Sequence, residues 1–150
     1  MRYALLKTME PGTPLIPVFK HIDQNKIDKF GVLSGSTGSV HVDPAFCANS
    51  PFKTTLAHGF LTMAYASEMM EVNFGMDWAV TGSIEVKFVG QAHPGDTVLT
   101  QGTITGTEQT AEGLRVECEL SINNQNDKKV LAGTASLVCK NAADGFHANG

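Results

Sequence analysis

The sequence predicts an α+β fold in which a curved antiparallel sheet wraps around one long central helix. The first observation is a segment at residues 56–72 whose apolar side chains leave almost no polar face, so a helix there must be covered on nearly all sides. The second is a strand-like pattern that fills most of residues 77–140 and supplies the only cover that the chain offers. The third is the length of 150 residues, which fits a single domain.

The predicted sheet is a series of strands joined by short turns. Ile84, Val86 and Phe88 alternate with polar residues, and this period of two is typical of a half-buried strand. Further strands are predicted at residues 97–107, 116–122 and 130–139. Short connections between consecutive strands favour an antiparallel meander. Such a sheet around one buried helix is the hot-dog arrangement, and nearby prolines make residues 15–19 a strand at its edge.

A shorter helix is predicted at residues 23–33, ahead of the central one. Asp23 is placed to cap its first turn, and Gly35 is placed to end it. Its buried stripe is expected to consist of Ile27, Phe30 and Leu33. We therefore predict one domain over residues 1–140, followed by a flexible tail at residues 141–150, which are rich in Gly, Ala and Asn.

The charge of the chain argues against nucleic acid and membrane surfaces as partners. Fifteen acidic residues against 11 basic ones give a net charge of −4, and only Arg2 and Arg115 are arginines. A protein that binds a polyanion needs clustered Lys and Arg side chains to neutralise phosphates. We therefore expect a small-molecule ligand.

The three cysteines predict buried, reduced thiols. Cys47, Cys118 and Cys139 are an odd number, lie far apart and include no Cys-x-x-Cys pair, which argues against a disulfide framework and against a zinc site. No apolar stretch approaches the ~20 residues of a membrane span. The N-terminus also lacks the long apolar centre of a secretory signal. We expect a cytoplasmic protein with no metal.

Two motifs stand between the predicted helices and at the start of the central one. Residues 34–46 read Ser-Gly-Ser-Thr-Gly-Ser-Val-His-Val-Asp-Pro-Ala-Phe, and residues 57–59 read Ala-His-Gly. Together with Val-Lys-Phe at 86–88 and Pro-Gly-Asp-Thr at 94–97, they resemble the MaoC-like, (R)-specific enoyl-CoA hydratase family of hot-dog proteins. The resemblance is specific because several motifs must occur together in the same order along the chain, and it covers roughly residues 15–140.

The resemblance implies reversible addition of water to a trans-2-enoyl thioester of CoA or acyl carrier protein, without metal or redox cofactor. It implies that His41 is the catalytic histidine and that the oxyanion hole is at His58-Gly59. It also implies that Ser67 faces the pocket and that the acyl chain lies beside the central helix. The family's catalytic Asp corresponds here to Ser36, so we take His41 and Ser36 as the candidate catalytic residues.

The residue types at these positions fit part of that chemistry. Hydration needs a base for water, an acid for the α-carbon and donors for an enolate-like oxygen. Gly59 begins the central helix, where backbone N–H groups are unpaired and the helix dipole is positive. A serine hydroxyl without a partner is a poor general base, so Ser36 leaves three alternatives open. His41 performs both proton transfers, another subunit supplies a carboxylate, or the chain binds thioesters without hydrating them.

Two other functions compete with the hydratase. A hot-dog thioesterase needs a carboxylate on the central helix, and Glu68 or Glu71 could supply it. A non-catalytic subunit would bind thioesters beside a catalytic paralogue. The exposed edge strand predicts a homodimer or a higher oligomer in either case. Asp43 is expected to cap the turn that Pro44 begins, and His58 is expected to act through its backbone and not through its ring.

Overall fold

The computed structural model describes residues 9–140, so the predicted tail at 141–150 lies outside the described residues. In chain order the elements of the described part are β1 (Val18–His21), α1 (Gln24–Ser34), α2 (Ser39–Val42), α3 (Pro44–Ala48), α4 (Gly59–Phe74), α5 (Met76–Thr81), β2 (Ser83–Phe88), β3 (Thr97–Thr110), β4 (Gly113–Asn124) and β5 (Lys129–Cys139).

The five strands form one antiparallel sheet in the order β1-β3-β4-β5-β2. The consecutive strands β3, β4 and β5 are neighbours, which confirms this part of the predicted meander, whereas β2 pairs with β5 and not with β3. The predicted edge strand is confirmed as well, although it forms at Val18–His21, with Pro14 bridged to Thr103 just before it. The second edge strand is β2, which pairs only with β5 in the described part of the chain.

The central helix α4 packs on one face of this sheet, which confirms the predicted fold class. The helix buries Ala66, Met69 and Met70 completely, in one core cluster with Ile104 of β3, Ile122 of β4 and Leu131 of β5. Each fully buried side chain of the size of Met or Ile contributes about 1.5–3 kcal/mol relative to an exposed one. The core therefore depends on the middle of α4.

The first turn of α4 is less covered than the sequence predicted. The helix begins at Gly59 because its N-cap residue His58 is extended, and the N–H groups of Leu56 and Ala57 bond to the carbonyls of Val40 and Ala92. Phe60 in this first turn is 64% exposed. Cover on nearly all sides was therefore a wrong expectation for this end of the helix.

Helix α1 forms where it was predicted, with one error in its buried face. The Asp23 carboxylate accepts from the Lys26 N–H at 2.8 Å, and Gly35 ends the helix with a φ of 77°. Ile27 is buried as expected, but Leu33 is 87% exposed and its predicted burial is wrong. The helix instead buries Gly31 against the segment that follows it.

The C-terminal half of α4 is anchored by buried polar side chains. Asn73 is completely buried, accepts from the Ile16 N–H at 2.9 Å and donates to the Ile16 carbonyl at 3.0 Å. Helix α5 lies within residues that were predicted to be mostly strand, and it carries Trp78 against this half of α4. These contacts join the N-terminal segment and α5 to the central helix.

Candidate functional site

The His41 imidazole is held by the backbone of the segment that leads into α4. Its Nδ1 lies 2.8 Å from the Leu56 carbonyl oxygen. Because a carbonyl can only accept, Nδ1 carries the hydrogen, and in the neutral ring Nε2 is then the unprotonated nitrogen. The main-chain carbonyl of His41 accepts from Gln24 at 2.8 Å, and the Thr55 hydroxyl donates to the same Gln24 side chain.

The His58 imidazole stacks on that of His41. The centroids of these two rings are 3.8 Å apart with an angle of 23° between the planes. The centroid of the Phe30 ring, on α1, lies 5.0 Å from that of His58. His58 Nε2 lies 2.7 Å from the Ser36 carbonyl oxygen and therefore donates to it. The ring thus contacts both candidate catalytic residues, while the expectation that His58 acts through its backbone stays a prediction.

Burial keeps the His58 ring neutral. The side chain is 3% exposed, and desolvation lowers its pKa below the ordinary 6.5. The hydrogen bond to the Ser36 carbonyl raises this pKa, and the charge of His41 lowers it further. With the hydrogen on Nε2, the neutral ring has a bare Nδ1, which is buried without a partner. Two protonated imidazoles in this stack would repel each other.

The first backbone amides of α4 lie next to the imidazole pair. His58 is the N-cap residue and gives no side-chain hydrogen bond to the helix, while Leu61 and Thr62 donate to its carbonyl. The N–H groups of Gly59 and Phe60 are therefore left unpaired in the described part of the chain. Within the first turn these donors combine with the positive end of the helix dipole.

Gly59 allows an aromatic ring to lie directly over this helix start. A Cβ atom at position 59 would be 3.0 Å from Cε1 of Phe88. The Phe88 ring is 49% exposed and meets the Phe60 ring edge-on, with centroids 6.1 Å apart. The unpaired amides are thus flanked by two exposed aromatic rings.

Ser36 enters the cluster through its backbone. The residue is exposed, its carbonyl binds His58, and its hydroxyl makes no hydrogen bond within residues 9–140. Its N–H lies 3.4 Å from the Ser34 hydroxyl. The structure therefore brings Ser36, His41, His58 and Gly59 together, with no contact from the Ser36 side chain to either ring among the described interactions.

Ser67 lies away from this cluster. It follows His58 by nine residues, which places it about 13 Å further along the helix axis. Its hydroxyl accepts from the Trp78 indole N–H at 2.9 Å. The described contacts of Ser67 are thus with α5 and not with the two imidazoles.

The carboxylates named from the sequence have other partners. Asp43 caps α3 and accepts from the Phe46 N–H at 3.0 Å, which confirms the predicted cap. Glu68 forms an ion pair with Lys20 at 2.7 Å, and Glu71 is exposed on α4. None of the described hydrogen bonds or ion pairs joins a carboxylate to His41 in residues 9–140.

The thiols and the acidic groups do not form a metal centre in the described residues. Cys47, Cys118 and Cys139 are buried, as the sequence predicted, and none is in a disulfide. Burial raises the pKa of Cys118 to about 12 and that of Cys139 to about 11, so both remain protonated thiols near neutral pH. No helix of the described part is long and apolar enough to cross a membrane.

Two cavities of the described chain lie away from the imidazole pair. The larger, about 840 Å³, is lined by residues 14–17 and by side chains such as Gln101 and Glu119. The smaller, about 300 Å³, is lined by Glu85, Arg115 and their neighbours. Both are on the sheet face opposite α4. Most of the strand residues that line them alternate along each strand with the core residues, and successive side chains of a strand point to opposite faces of the sheet. The acyl site expected beside α4 coincides with neither of them, and His41 is half-buried at the surface.

Sequence reasoning missed several residues that build this site. Gly31 is one of them, because a Cβ there would be 3.0 Å from the Ser36 carbonyl oxygen and 3.6 Å from Cε1 of His58, so that a side chain would push this carbonyl away. A glycine inside a predicted helix was the available signal. The roles of Leu56 and Gln24 had no such signal, since each makes a hydrogen bond that involves a backbone carbonyl and a residue distant in sequence.

Comparison with known proteins connects this arrangement to one family. The sequence model of the MaoC like domain matches residues 7–126. The 3-hydroxyacyl-thioester dehydratase Z of Mycobacterium tuberculosis is 30% identical over 96 residues, which are 61% of this chain and 64% of that protein. The matched part of the chain thus spans less than two thirds of this relative. The (R)-specific enoyl-CoA hydratase of Rhodospirillum rubrum is 28% identical over 121 residues, 79% of this chain and 81% of that protein.

Solved structures share the fold. The R-hydratase PhaJ1 of Pseudomonas aeruginosa, in the unliganded form, superposes with a TM-score of 0.75 at 23% identity, covering 87% of this chain and 81% of its own. The ChsH1–ChsH2 complex of Mycobacterium tuberculosis gives a TM-score of 0.74 at 15% identity, covering 88% and 99%. At these identities the likeness shows the hot-dog fold.

Proposed function

The chain belongs to the MaoC-like domain family, and on that premise we propose that it catalyses the reversible addition of water to a trans-2-enoyl thioester. The observation that carries the proposal is the bond from His41 Nδ1 to the Leu56 carbonyl, beside the unpaired amides of α4. That bond fixes the hydrogen on Nδ1 and leaves Nε2 as the free base of the neutral ring. The two relatives named above, a dehydratase and a hydratase, support the same reaction class.

In the proposed reaction His41 carries out both proton transfers. Nε2 takes a proton from water as the water oxygen bonds to the β-carbon of the enoyl group. The electron pair of the double bond then moves towards the thioester carbonyl, which becomes enolate-like. The imidazolium returns the proton to the α-carbon, so the product is the 3-hydroxyacyl thioester and the catalyst is unchanged.

The start of α4 supplies the stabilisation of the enolate oxygen. The Gly59 and Phe60 amides are unpaired and need no reorganisation to donate. Loss of one such donor commonly costs ~10²–10³-fold in kcat. Phe60 and Phe88 flank the amides and offer an apolar surface for the acyl chain.

Ser36 is proposed as a residue that orients the attacking water. Its exposed hydroxyl has no other partner in the described structure, and its carbonyl is fixed by His58. By the resemblance, this position carries an Asp in the family. Ser36→Asp is therefore expected to raise hydration, because it restores the acid/base group that the resemblance places at this position.

The chemistry itself requires no cofactor beyond the thioester. Water addition moves one proton and one hydroxyl group and changes no net oxidation state, so we expect no redox cofactor, and the resemblance implies no metal. Either CoA or acyl carrier protein can carry the acyl group in the proposed reaction. Three buried thiols fit a reducing compartment, and the cytoplasm remains our prediction.

Oligomer formation is part of the proposal. The edge strand β2 ends at Phe88, beside the site, and pairing of two copies would cover this edge. We propose a homodimer as the smallest unit. A non-catalytic subunit in a hetero-oligomer is the second candidate, favoured by the unpartnered Ser36 hydroxyl and by the two-component complex among the fold neighbours.

Product identity separates the candidate functions. The purified unmodified chain and its Ser36→Asp variant are each incubated with a trans-2-enoyl thioester. A 3-hydroxyacyl thioester from the unmodified chain supports the hydratase. Release of free thiol would indicate a thioesterase, although Glu68 is paired with Lys20. Saturable binding without turnover, with turnover gained in Ser36→Asp, would indicate the non-catalytic subunit.

A further inference from the structure

We propose that the His58 imidazole is a positioning residue of this site, a role that rests on the proposed function. The resemblance places the oxyanion hole at His58-Gly59 and gives the His58 ring no role. Its Nε2–H binds the Ser36 carbonyl, and its face lies against His41. Through these two contacts the ring holds the segment between Ser36 and His41 in place against the first turn of α4.

The geometry around His58 indicates a specific hydrogen bond and not general packing. Gly31 leaves room for the Ser36 carbonyl to reach the ring, since a Cβ there would be 3.0 Å from that oxygen. The bond is 2.7 Å long and spans 22 positions of the sequence. It links the end of α1 to the start of α4 across the catalytic segment.

The unpartnered Nδ1 supports the same conclusion. His58 is 3% exposed, and its Nδ1 is buried without a hydrogen bond. An unsatisfied buried polar atom costs about 1–3 kcal/mol, and a phenyl ring of similar shape would avoid that cost. If the ring served only to fill space, the imidazole would be unfavourable. The Nε2–H is what the imidazole provides and a phenyl ring cannot.

The consequence for catalysis is a fixed His41. The base sits in a four-residue helix, and its ring touches the structure at the Leu56 carbonyl and at His58. Releasing the Ser36 carbonyl frees the segment that carries the base, and small misplacement of a catalytic group can lower the rate about 10²-fold. We therefore expect His58 to affect kcat more than KM.

Two substitutions separate the donor from the ring. His58→Phe keeps the aromatic face against His41 and removes the donor. His58→Gln removes the face but keeps a side-chain N–H that can reach the Ser36 carbonyl. His21→Gln, which changes an exposed histidine on β1 bonded to Thr97, is the matched control. For each variant we would measure kcat, KM, the free energy of unfolding and the nitrogen-15 spectrum of the histidine rings.

The proposal expects His58→Phe to lower kcat about 10–100-fold with KM changed less than about threefold. His58→Gln is expected to recover most of kcat. In the spectrum, His41 is expected to show the Nδ1–H tautomer in the unmodified chain and in His58→Gln, and a mixture of tautomers in His58→Phe. Wild-type kcat in His58→Phe, or equal losses in both variants with an unchanged His41 tautomer, would overturn the proposal.

The spectrum also keeps the two proposals distinguishable. If the unmodified chain hydrates no thioester, the proposed function fails. The positioning role of His58 then stands if His41 loses its single tautomer in His58→Phe and keeps it in His58→Gln. It is overturned if the tautomer of His41 is the same in both variants.

Discussion

The two ends of helix α4 differ in how their polar groups are satisfied. At the C-terminal half, Asn73 is completely buried with hydrogen bonds to Ile16, and the Ser67 hydroxyl is bonded to Trp78. At the N-terminal end, the Gly59 amide is unpaired and His58 has a bare buried nitrogen. Buried polar groups without partners are costly, and the unpaired amides of the first helical turn remain available to a ligand.

This difference divides the helix into a part that holds the fold and a part that is available for chemistry. The buried half joins the N-terminal segment, α5 and the sheet. The first turn carries the exposed Phe60 beside the imidazole pair. Substitutions at the two ends should therefore change different observables, which the following experiments test.

His41→Ala should produce the largest effect. Removing the base is expected to lower hydration about 10²–10⁴-fold, because no other titratable group among the described contacts is placed to accept the proton of water. Thioester affinity should be nearly unchanged, since the amides of α4 remain. Steady-state kinetics and equilibrium binding measure the two quantities. Undiminished turnover would remove His41 from the mechanism.

Asn73→Ala should affect stability instead. The change leaves the buried N–H and carbonyl of Ile16 without partners, and we expect a loss of about 2–4 kcal/mol in the free energy of unfolding. Urea denaturation measures the loss, and kcat per folded molecule should stay constant. Glu71→Ala, at an exposed position of the same helix, is the control and should stay within about 0.5 kcal/mol. An equal loss in both variants would contradict the anchoring role.

The lowered pKa of His58 predicts a pH dependence of stability. Burial favours the neutral ring in the folded state, so the unfolded chain binds more protons below its ordinary pKa of 6.5. The free energy of unfolding should therefore be fully retained above pH 6.5 and fall as the pH decreases towards the folded-state pKa of His58. His58→Phe should remove this component when the two chains are unfolded in urea at a series of pH values. Parallel curves would contradict the neutral buried ring.

Ser67→Ala should have the smallest effect. It removes the acceptor of the Trp78 indole and is expected to cost about 1 kcal/mol of stability, with hydration changed less than about twofold. Tryptophan fluorescence reports the change directly, because Trp78 is the single tryptophan of the chain. A drop in kcat at unchanged stability would show that Ser67 faces the substrate, as the family resemblance implies.

Local sequence signals predicted much of the scaffold. Asp23 and Asp43 cap helices with their own side chains within three residues, so their roles can be read from adjacent positions. The alternating strands also predicted the meander of β3, β4 and β5, because these three strands pair with their neighbours in sequence. Such features depend on contacts between residues that are close in sequence, or on side chains that recur at a regular spacing.

The arrangement within the site could not be predicted in this way. His41 is fixed by the Leu56 carbonyl, and His58 binds the Ser36 carbonyl. Every residue has a backbone carbonyl, so the residue type at these positions does not indicate such a bond. Leu33 is exposed because α1 turns Gly31, a residue without a side chain, towards the site. The partner of Ser67 stands on α5, a helix of six residues that is too short to show a helical period.

The most direct test of the central claim is to follow the oxygen of water. A trans-2-enoyl thioester is incubated in oxygen-18-labelled water with the unmodified chain and with His41→Ala, and the products are analysed by mass spectrometry. The account predicts labelled oxygen in the hydroxyl group at the β-carbon of an intact thioester, formed by the unmodified chain and lost in the variant. Label in the carboxylate of a released acid, formed equally by both chains, would contradict it.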